Sequence, residues 1–319
     1  MNTFAGLKHG LVLGLGLAFA APAFAQDRLA VGTTSSSSSQ YGYYVAVAQV
    51  LKSAGIDLQV VETGASLDNL RRLDHGQVDM GLVTTNIAKL AAEGHESIPQ
   101  QSETQTLWIY AQLPQNVIVR ADAGINSIAE LEGVQYNPGI RGSATESTAE
   151  RVFAAMGVQP EFVRGSTGDT VDAIKDNRVA GYVKSGVGYK VDGSTLDLAS
   201  FVPVKILGLT DEQKQAISEK VSDVTLMDVS AGAIEGAEPY TTWSMGFATV
   251  VKPDFDEETA YRIAKAIFED REIQRGAFAV TGEFDLAQLT IDVATTPLHP
   301  GTIRYLEEKG YEVPDHLRP

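Results

Sequence analysis

The chain has 319 residues, is 44% hydrophobic, carries a formal net charge of −16 and contains no cysteine. Without thiols it has neither a disulfide framework nor a cysteine-borne lipid anchor, and acidity spread along the chain argues against nucleic acid or an anionic membrane surface as a partner. Its length suffices for two lobes of ordinary size, stabilised by apolar burial.

Residues 1–25 combine Lys8, an apolar run from Leu11 to Ala21 and the small-x-small ending Ala23-Phe24-Ala25. This is the pattern of an export signal, expected to be cleaved after Ala25 and to leave a periplasmic chain with no segment inserted in the membrane. Beyond it, short β-branched runs alternate with amphipathic stretches, which predicts an α/β fold with largely parallel sheets. Strands are expected at 29–32, 58–62, 80–83, 115–120, 133–136, 161–164, 180–183, 201–206 and 244–252. Helices are expected at 41–54, 66–76, 146–156, 169–177, 211–221, 257–268 and 302–309.

Two units echo each other. Leu70, Leu73, Val78 and Leu82 share their spacing with Val171, Ile174, Val179 and Val183. Each set reads as helix, tight turn, buried strand and then a small polar loop, Thr84-Thr85-Asn86 in one and Ser185-Gly186 in the other. Polar residues at the carboxyl ends of strands are where open α/β sheets bind ligands. The segments from Val117 to Asp122 and from Thr249 to Asp254 also resemble one another, each a hydrophobic strand ending in a basic residue and an acidic turn. They predict a two-strand hinge, with lobe one formed by 26–115 and 244–319 and lobe two by 116–243.

The most informative stretch is Tyr136 to Glu146, which reads Tyr-Asn-Pro-Gly-Ile-Arg-Gly-Ser-Ala-Thr-Glu ahead of a helical pattern. Pro138 and Gly139 shape a turn, Gly142 lets backbone approach a ligand, and Ser143, Ala144 and Thr145 bring hydroxyls and the unpaired N–H groups of a helix start. Capping of the helix would account for Ser143 by itself, but a cap has no use for the guanidinium of Arg141, whereas a carboxylate does. A second candidate cradle runs from Gly32 to Tyr41, between the first strand and first helix, and includes Thr34, Ser36, Ser37, Ser38 and Ser39. Such a serine run is either a linker or a hydroxyl-lined turn, and its place inside a strand-helix unit favours the turn. Ser66, in the third loop, is adequately explained as a helix cap. Lys184 stands where the first unit has Val83, so it is either paired near the surface or directed into the cleft. Trp243 and the tyrosines Tyr41, Tyr43 and Tyr44 fit either a core or a cleft wall.

The sequence lacks a G-x-S-x-G elbow, S-x-x-K, H-E-x-x-H and the phosphate-binding G-x-x-x-x-G-K-[ST], and its five histidines have no metal-ligand spacing. No enzyme activity, cofactor or metal is expected.

Several motifs in order, Glu62 to Leu73, Gly76 to Leu82, Asn137 to Glu146 and Pro297 to Gly310, together with the export signal and hydroxyl-rich first loop, resemble the TAXI family of TRAP-transporter solute receptors. The resemblance covers nearly the whole mature chain. It implies a type II periplasmic binding-protein fold, two α/β lobes on a hinge, that captures an organic anion and delivers it to the TRAP membrane permease. The family's Pro-Gly-x-x-Gly-Ser-x-Thr loop falls on Pro138, Gly139, Gly142, Ser143 and Thr145, which places ligand contact there. Two departures bear on the ligand: the usual glycine-rich first loop is a serine run, and Ala180-Gly181 replaces an aspartate often found after the second-lobe helix turn. The ligand expected is a dicarboxylate such as 2-oxoglutarate, or glutamate. Arg141 would fork onto one carboxylate, Lys184 and Ser185 would meet the second, and Thr34 to Ser39, Tyr41, Ser66 and Thr84 to Asn86 would close from lobe one. The rival readings are a sensory module that signals to a receptor kinase and an exported hydrolase.

Overall fold

A computed structural model describes Met1 and residues 27–319, apart from Ser37, Ser97, Pro99, Gln100, Gly142 and Arg271. The expected export signal lies outside the described residues. No helix among the described residues is long and apolar enough to cross a membrane.

The first units run β1 (Asp27–Gly32), α1 (Ser39–Lys52), β2 (Ile56–Val61), α2 (Ser66–Asp74), β3 (Met80–Thr84) and α3 (Thr85–Glu93), leading into the long strand β4 (Gln105–Arg120). There follow β5 (Gln135–Tyr136), α4 (Ala144–Met156), β6 (Glu161–Phe162), α5 (Thr167–Lys175), β7 (Gly181–Ser185), α6 (Gly193–Phe201), β8 (Val204–Leu207), α7 (Asp211–Lys220) and β9 (Thr225–Val229). A second long strand, β10 (Tyr240–Val251), leads back to α8 (Glu257–Glu269), α9 (Glu272–Ala277), α10 (Leu286–Val293) and α11 (Pro300–Glu308).

The two long strands organise everything else. The main sheet has the order β2-β1-β3-β10-β4-β7, with β8 beside β4 and β9 beside β10. Strand β1 pairs in parallel with β2 and β3, whereas β10 runs antiparallel between β3 and β4. β4 changes partner along its length: Gln105 to Pro114 pair with β10, and Gln115 to Arg120 with β7 and β8. Pro114 stands at the change, where a residue without an N–H leaves no ladder bond broken. The cores divide likewise. One buried cluster draws on Val31 to Ala111 and Ala248 to Leu317, and the next on Val117 to Trp243. We call these bodies lobe one and lobe two.

In lobe one the rings of Tyr43, Tyr44, Trp108 and Tyr110 are fully buried. Tyr43 donates to Gln274 Oε1 at 2.8 Å and accepts from Trp108 Nε1 at 3.0 Å, tying α1 to β4 and α9. Side chains of this size contribute about 1.5–3 kcal/mol each when buried. Tyr43 and Tyr44 are therefore core residues.

The echoed units prove to be the same construction. α2 and α5 each have nine residues, and β3 and β7 five. All eight echoed apolar residues are buried. Each helix ends on a left-handed residue, Gly76 at φ 63 and Asn177 at φ 55, followed by a backbone bond from Gln77 to Arg72 O or from Arg178 to Ala173 O, both 2.8 Å. Glycine and asparagine are the residues that tolerate this turn.

The structure departs from expectation in places. Thr85 and Asn86 open α3 instead of forming a loop, and Phe201 ends α6 instead of starting a strand. The strands expected at 133–136 and 161–164 shrink to the short pair β5 and β6. Strand β9, helices α9 and α10 and the first ten residues of β4 were not anticipated.

His299 caps α11. Its Nε2 faces Phe255 O at 2.9 Å and its Nδ1 accepts from Gly301 N at 3.2 Å, so the ring is held neutral. Burial pushes its pKa below the ordinary histidine value, against an upward pull from the Phe255 carbonyl, Glu257 and Asp256. A depressed pKa gives stability that is fully present above the unfolded-state value of about 6.5 and is lost as pH falls from there through the folded-state value. Melts at about pH 7.5 and about pH 5.5 should show this loss, and His299→Asn, which keeps a capping acceptor, should shrink it.

Candidate functional site

The carboxyl ends of β1, β2 and β3 in lobe one and of β7 in lobe two open where the long strands cross. On the lobe-one side Thr33 is buried and donates to Val61 O at 2.8 Å. Thr34 is half-buried, Ser36 is exposed, and Ser38 caps α1 through Tyr41 N at 3.1 Å. Ser39 lies within 3.4 Å of Gln40 Oε1, and Tyr41 is half-buried. Ser37 lies outside the described residues. Glu62, at the end of β2, receives the N–H and hydroxyl of Ser36 and the hydroxyl of Ser35, which hold its carboxyl below the usual range. Part of the serine loop thus already serves a carboxylate of this chain.

Asn69 anchors these loops. It is fully buried and donates to Thr33 O at 2.8 Å and Leu82 O at 2.7 Å while accepting from Thr63 at 2.7 Å. Gly32 is needed because a Cβ there would collide with Asn69 Oδ1. The helix cap expected at Ser66 is instead Ala65, which makes no side-chain capping bond and has φ 68 and ψ −154. That backbone region is essentially reserved for glycine, and strain of this kind gathers at binding sites. Ser66 Oγ accepts from Thr84 N at 3.1 Å, so it ties the start of α2 to the end of β3. Thr85 accepts from Gly246 N at 2.9 Å and is buried, joining α3 to β10. Asn86 reaches across the lobes: its Nδ2 lies 3.4 Å from Thr148 Oγ1 on α4.

On the lobe-two side, Asn137 folds the cradle by accepting from Gly139 N at 3.0 Å and donating to Val163 O at 2.8 Å. Gly139 has φ 136, and a Cβ there would lie 2.7 Å from Glu146 N. Ser143 caps α4 through Glu146 N at 3.1 Å, and Ala144 and Thr145 form its first turn, half-buried. Gly142 lies outside the described residues. Two arginines flank the cradle. Arg164 is neutralised by Glu146 at 3.1 Å and by Glu150. Arg141 is exposed, and among the described residues its guanidinium meets the Arg164 carbonyl at 3.4 Å and no carboxylate.

Lys184 has partners of its own, Thr167 Oγ1 at 3.2 Å and Asp192 Oδ2 at 3.6 Å. Ser185 accepts from Gln115 Nε2 at 3.0 Å. Trp243 is fully buried, packed on Phe153 at 6.2 Å between ring centres, and is core. A cavity of about 280 Å³ beside the crossing runs from Ser39 and Gln40 to Lys190, Asp192 and Glu283. A larger one, about 550 Å³, lies at the far end of lobe one, around Asp27, Asp79 and Lys252, away from every candidate residue.

Sequence reading did not single out Asn69, Glu62, Gln115 or Thr148. Asn69 alone carried a local signal, as a polar residue on the apolar face of α2.

Two α/β bodies joined by the long strands β4 and β10 make a fold that solved periplasmic solute-binding proteins share. A TctC solute-binding protein from Polaromonas shares it with a TM-score of 0.54 at 12% identity, over 81% of this chain and 89% of that one. Looser likenesses are to a Xanthomonas citri protein solved with chloride (TM-score 0.48, 14% identity, 88% and 95% covered) and to malate-bound MatC of Rhodopseudomonas palustris (0.46, 11%, 80% and 89%). The chain belongs to the NMT1-like family, whose model it matches over residues 31–310.

Proposed function

We propose that this chain is an exported receptor that takes a small organic anion, a dicarboxylate such as 2-oxoglutarate or the amino acid glutamate, between its lobes and presents it to the membrane subunits of a TRAP permease. The observation that carries the reading is Arg141: in a chain of net charge −16, one guanidinium without a carboxylate partner among the described residues stands at the start of α4. A helix start adds unpaired N–H groups to that charge, and the pair suits a carboxylate. The assignment to the TAXI group rests on the motifs at 62–73, 137–146 and 297–310. The hinge lies at the partner change in β4 and its counterpart near Ser244, and the lobes close over the ligand. Lys184 meets a second carboxylate by giving up Asp192.

Native mass spectrometry of the protein purified without refolding, followed by calorimetry with 2-oxoglutarate and with glutamate, tests this. A bound small acid, or heat from either compound, supports it. A clean apo mass with no heat from either overturns it.

A further inference from the structure

Along the junction of the lobes two side-chain oxygens are buried and have no hydrogen-bond partner among the described residues: Asn86 Oδ1 and Gln115 Oε1. Their residues are 1% and 0% exposed. Both oxygens are carbonyl acceptors, and their orientation is set by neighbours. The Gln115 amide nitrogen faces Leu113 O at 2.9 Å, an atom that can accept but not donate. The Asn86 nitrogen lies 3.4 Å from Thr148 Oγ1, a hydroxyl placed to donate to Met245 Sδ at 4.0 Å. Trp243 Nε1, also buried without a partner among the described residues, is a donor inside the core of lobe two and so asks for nothing of the same kind.

A buried acceptor left unmatched is costly, and the rare ones that persist call for an explanation. Both residues stand at the junction of the lobes. Asn86 belongs to α3 in lobe one and meets α4 of lobe two, while Gln115 stands where β4 leaves β10 for β7.

We propose that the ligand carries a hydrogen-bond donor beside its carboxylate, an amino group that donates to both Asn86 Oδ1 and Gln115 Oε1 or a hydroxyl that donates to one of them. This rests on the receptor reading above and narrows it: an amino acid can donate to both oxygens and a hydroxy acid to one of them, whereas an oxo acid or plain dicarboxylate leaves both bare. Asn86 and Gln115 thereby become the residues that choose among acids of equal charge and length, while the guanidinium of Arg141 holds what they share.

Calorimetry on the full chain with matched acids is the test: succinate against malate and aspartate, and 2-oxoglutarate against 2-hydroxyglutarate and glutamate. At least one donor-bearing acid is expected to bind about tenfold or more tighter than its donor-free match. Asn86→Leu, which removes the acceptor at similar volume, should bring that ratio to within about threefold while the melting temperature holds or rises, because an unmatched buried group is gone. Gln115→Met should act in the same direction. Equal affinities within each set in the unaltered protein would overturn the inference and leave the receptor reading standing. No heat from any of the acids would remove both.

Discussion

Arg141→Ala is expected to abolish measurable binding of the organic acid while the protein stays folded. The guanidinium is exposed and among the described residues makes one long contact, to the Arg164 carbonyl at 3.4 Å, so the fold does not depend on it. To a bound carboxylate it would offer two charge-assisted hydrogen bonds, each about 1.5–3 kcal/mol, and their loss lowers affinity by about 10² to 10⁴. Arg141→Lys keeps the charge without the planar fork and should fall between the two. Calorimetry on variants with unchanged circular dichroism checks the order. Wild-type affinity in Arg141→Ala would move the anion site elsewhere.

Gly181→Ala is expected to cause the largest loss of stability from a single methyl group. Gly181 opens β7 opposite Val119 of β4, and a Cβ there would strike Ile118 O and lie 2.8 Å from Val119 Cα. Neither is the end of a flexible side chain, so the strands must separate, at a cost of about 3 kcal/mol or a melting temperature lower by about 5–10 °C. Gly193→Ala, where a Cβ meets nothing within 4 Å, is the control and should change little. Thermal melts of the two variants side by side decide it. The crowding also gives a physical reason for glycine in the segment that departs from the TAXI pattern: a larger residue at 181 would collide with the crossing strand.

What could be read from the sequence was local. Seven helices and the paired helix-turn-strand units were legible because buried positions recur at fixed spacing and because Gly76 and Asn177 mark equivalent turns. The first half of β4 was not. It is buried on both faces, so it shows no alternation, and Pro114 argues against a strand until the partner change is seen. Helix α6 hid behind Gly193-Ser194-Thr195, a turn-like run that becomes a helix start only because Asp192 accepts from Ser194 N and Thr195 N. At the site, Arg141 and Ser143 stood out through their own loop. Gln115 and Thr148 did not, because their meaning lies in Ser185 and Asn86, far along the chain. Lys184 looked available because Asp192, its partner, is eight positions away with no periodicity to link them.

The place of β10 also governs the order in which the molecule can assemble. In lobe one this strand lies between β3 and β4, yet among the described strands it is the last to be synthesised. A chain emerging from its amino end therefore holds β1, β2 and β3 with an unfilled edge while all of lobe two is being made. Lobe two can collapse on its own core before lobe one is complete, and the interval leaves an open strand edge that invites pairing with other chains. Lobe one becomes a closed structure when residues 244–319 arrive, so truncation just after Trp243 should yield an aggregating product rather than a smaller receptor.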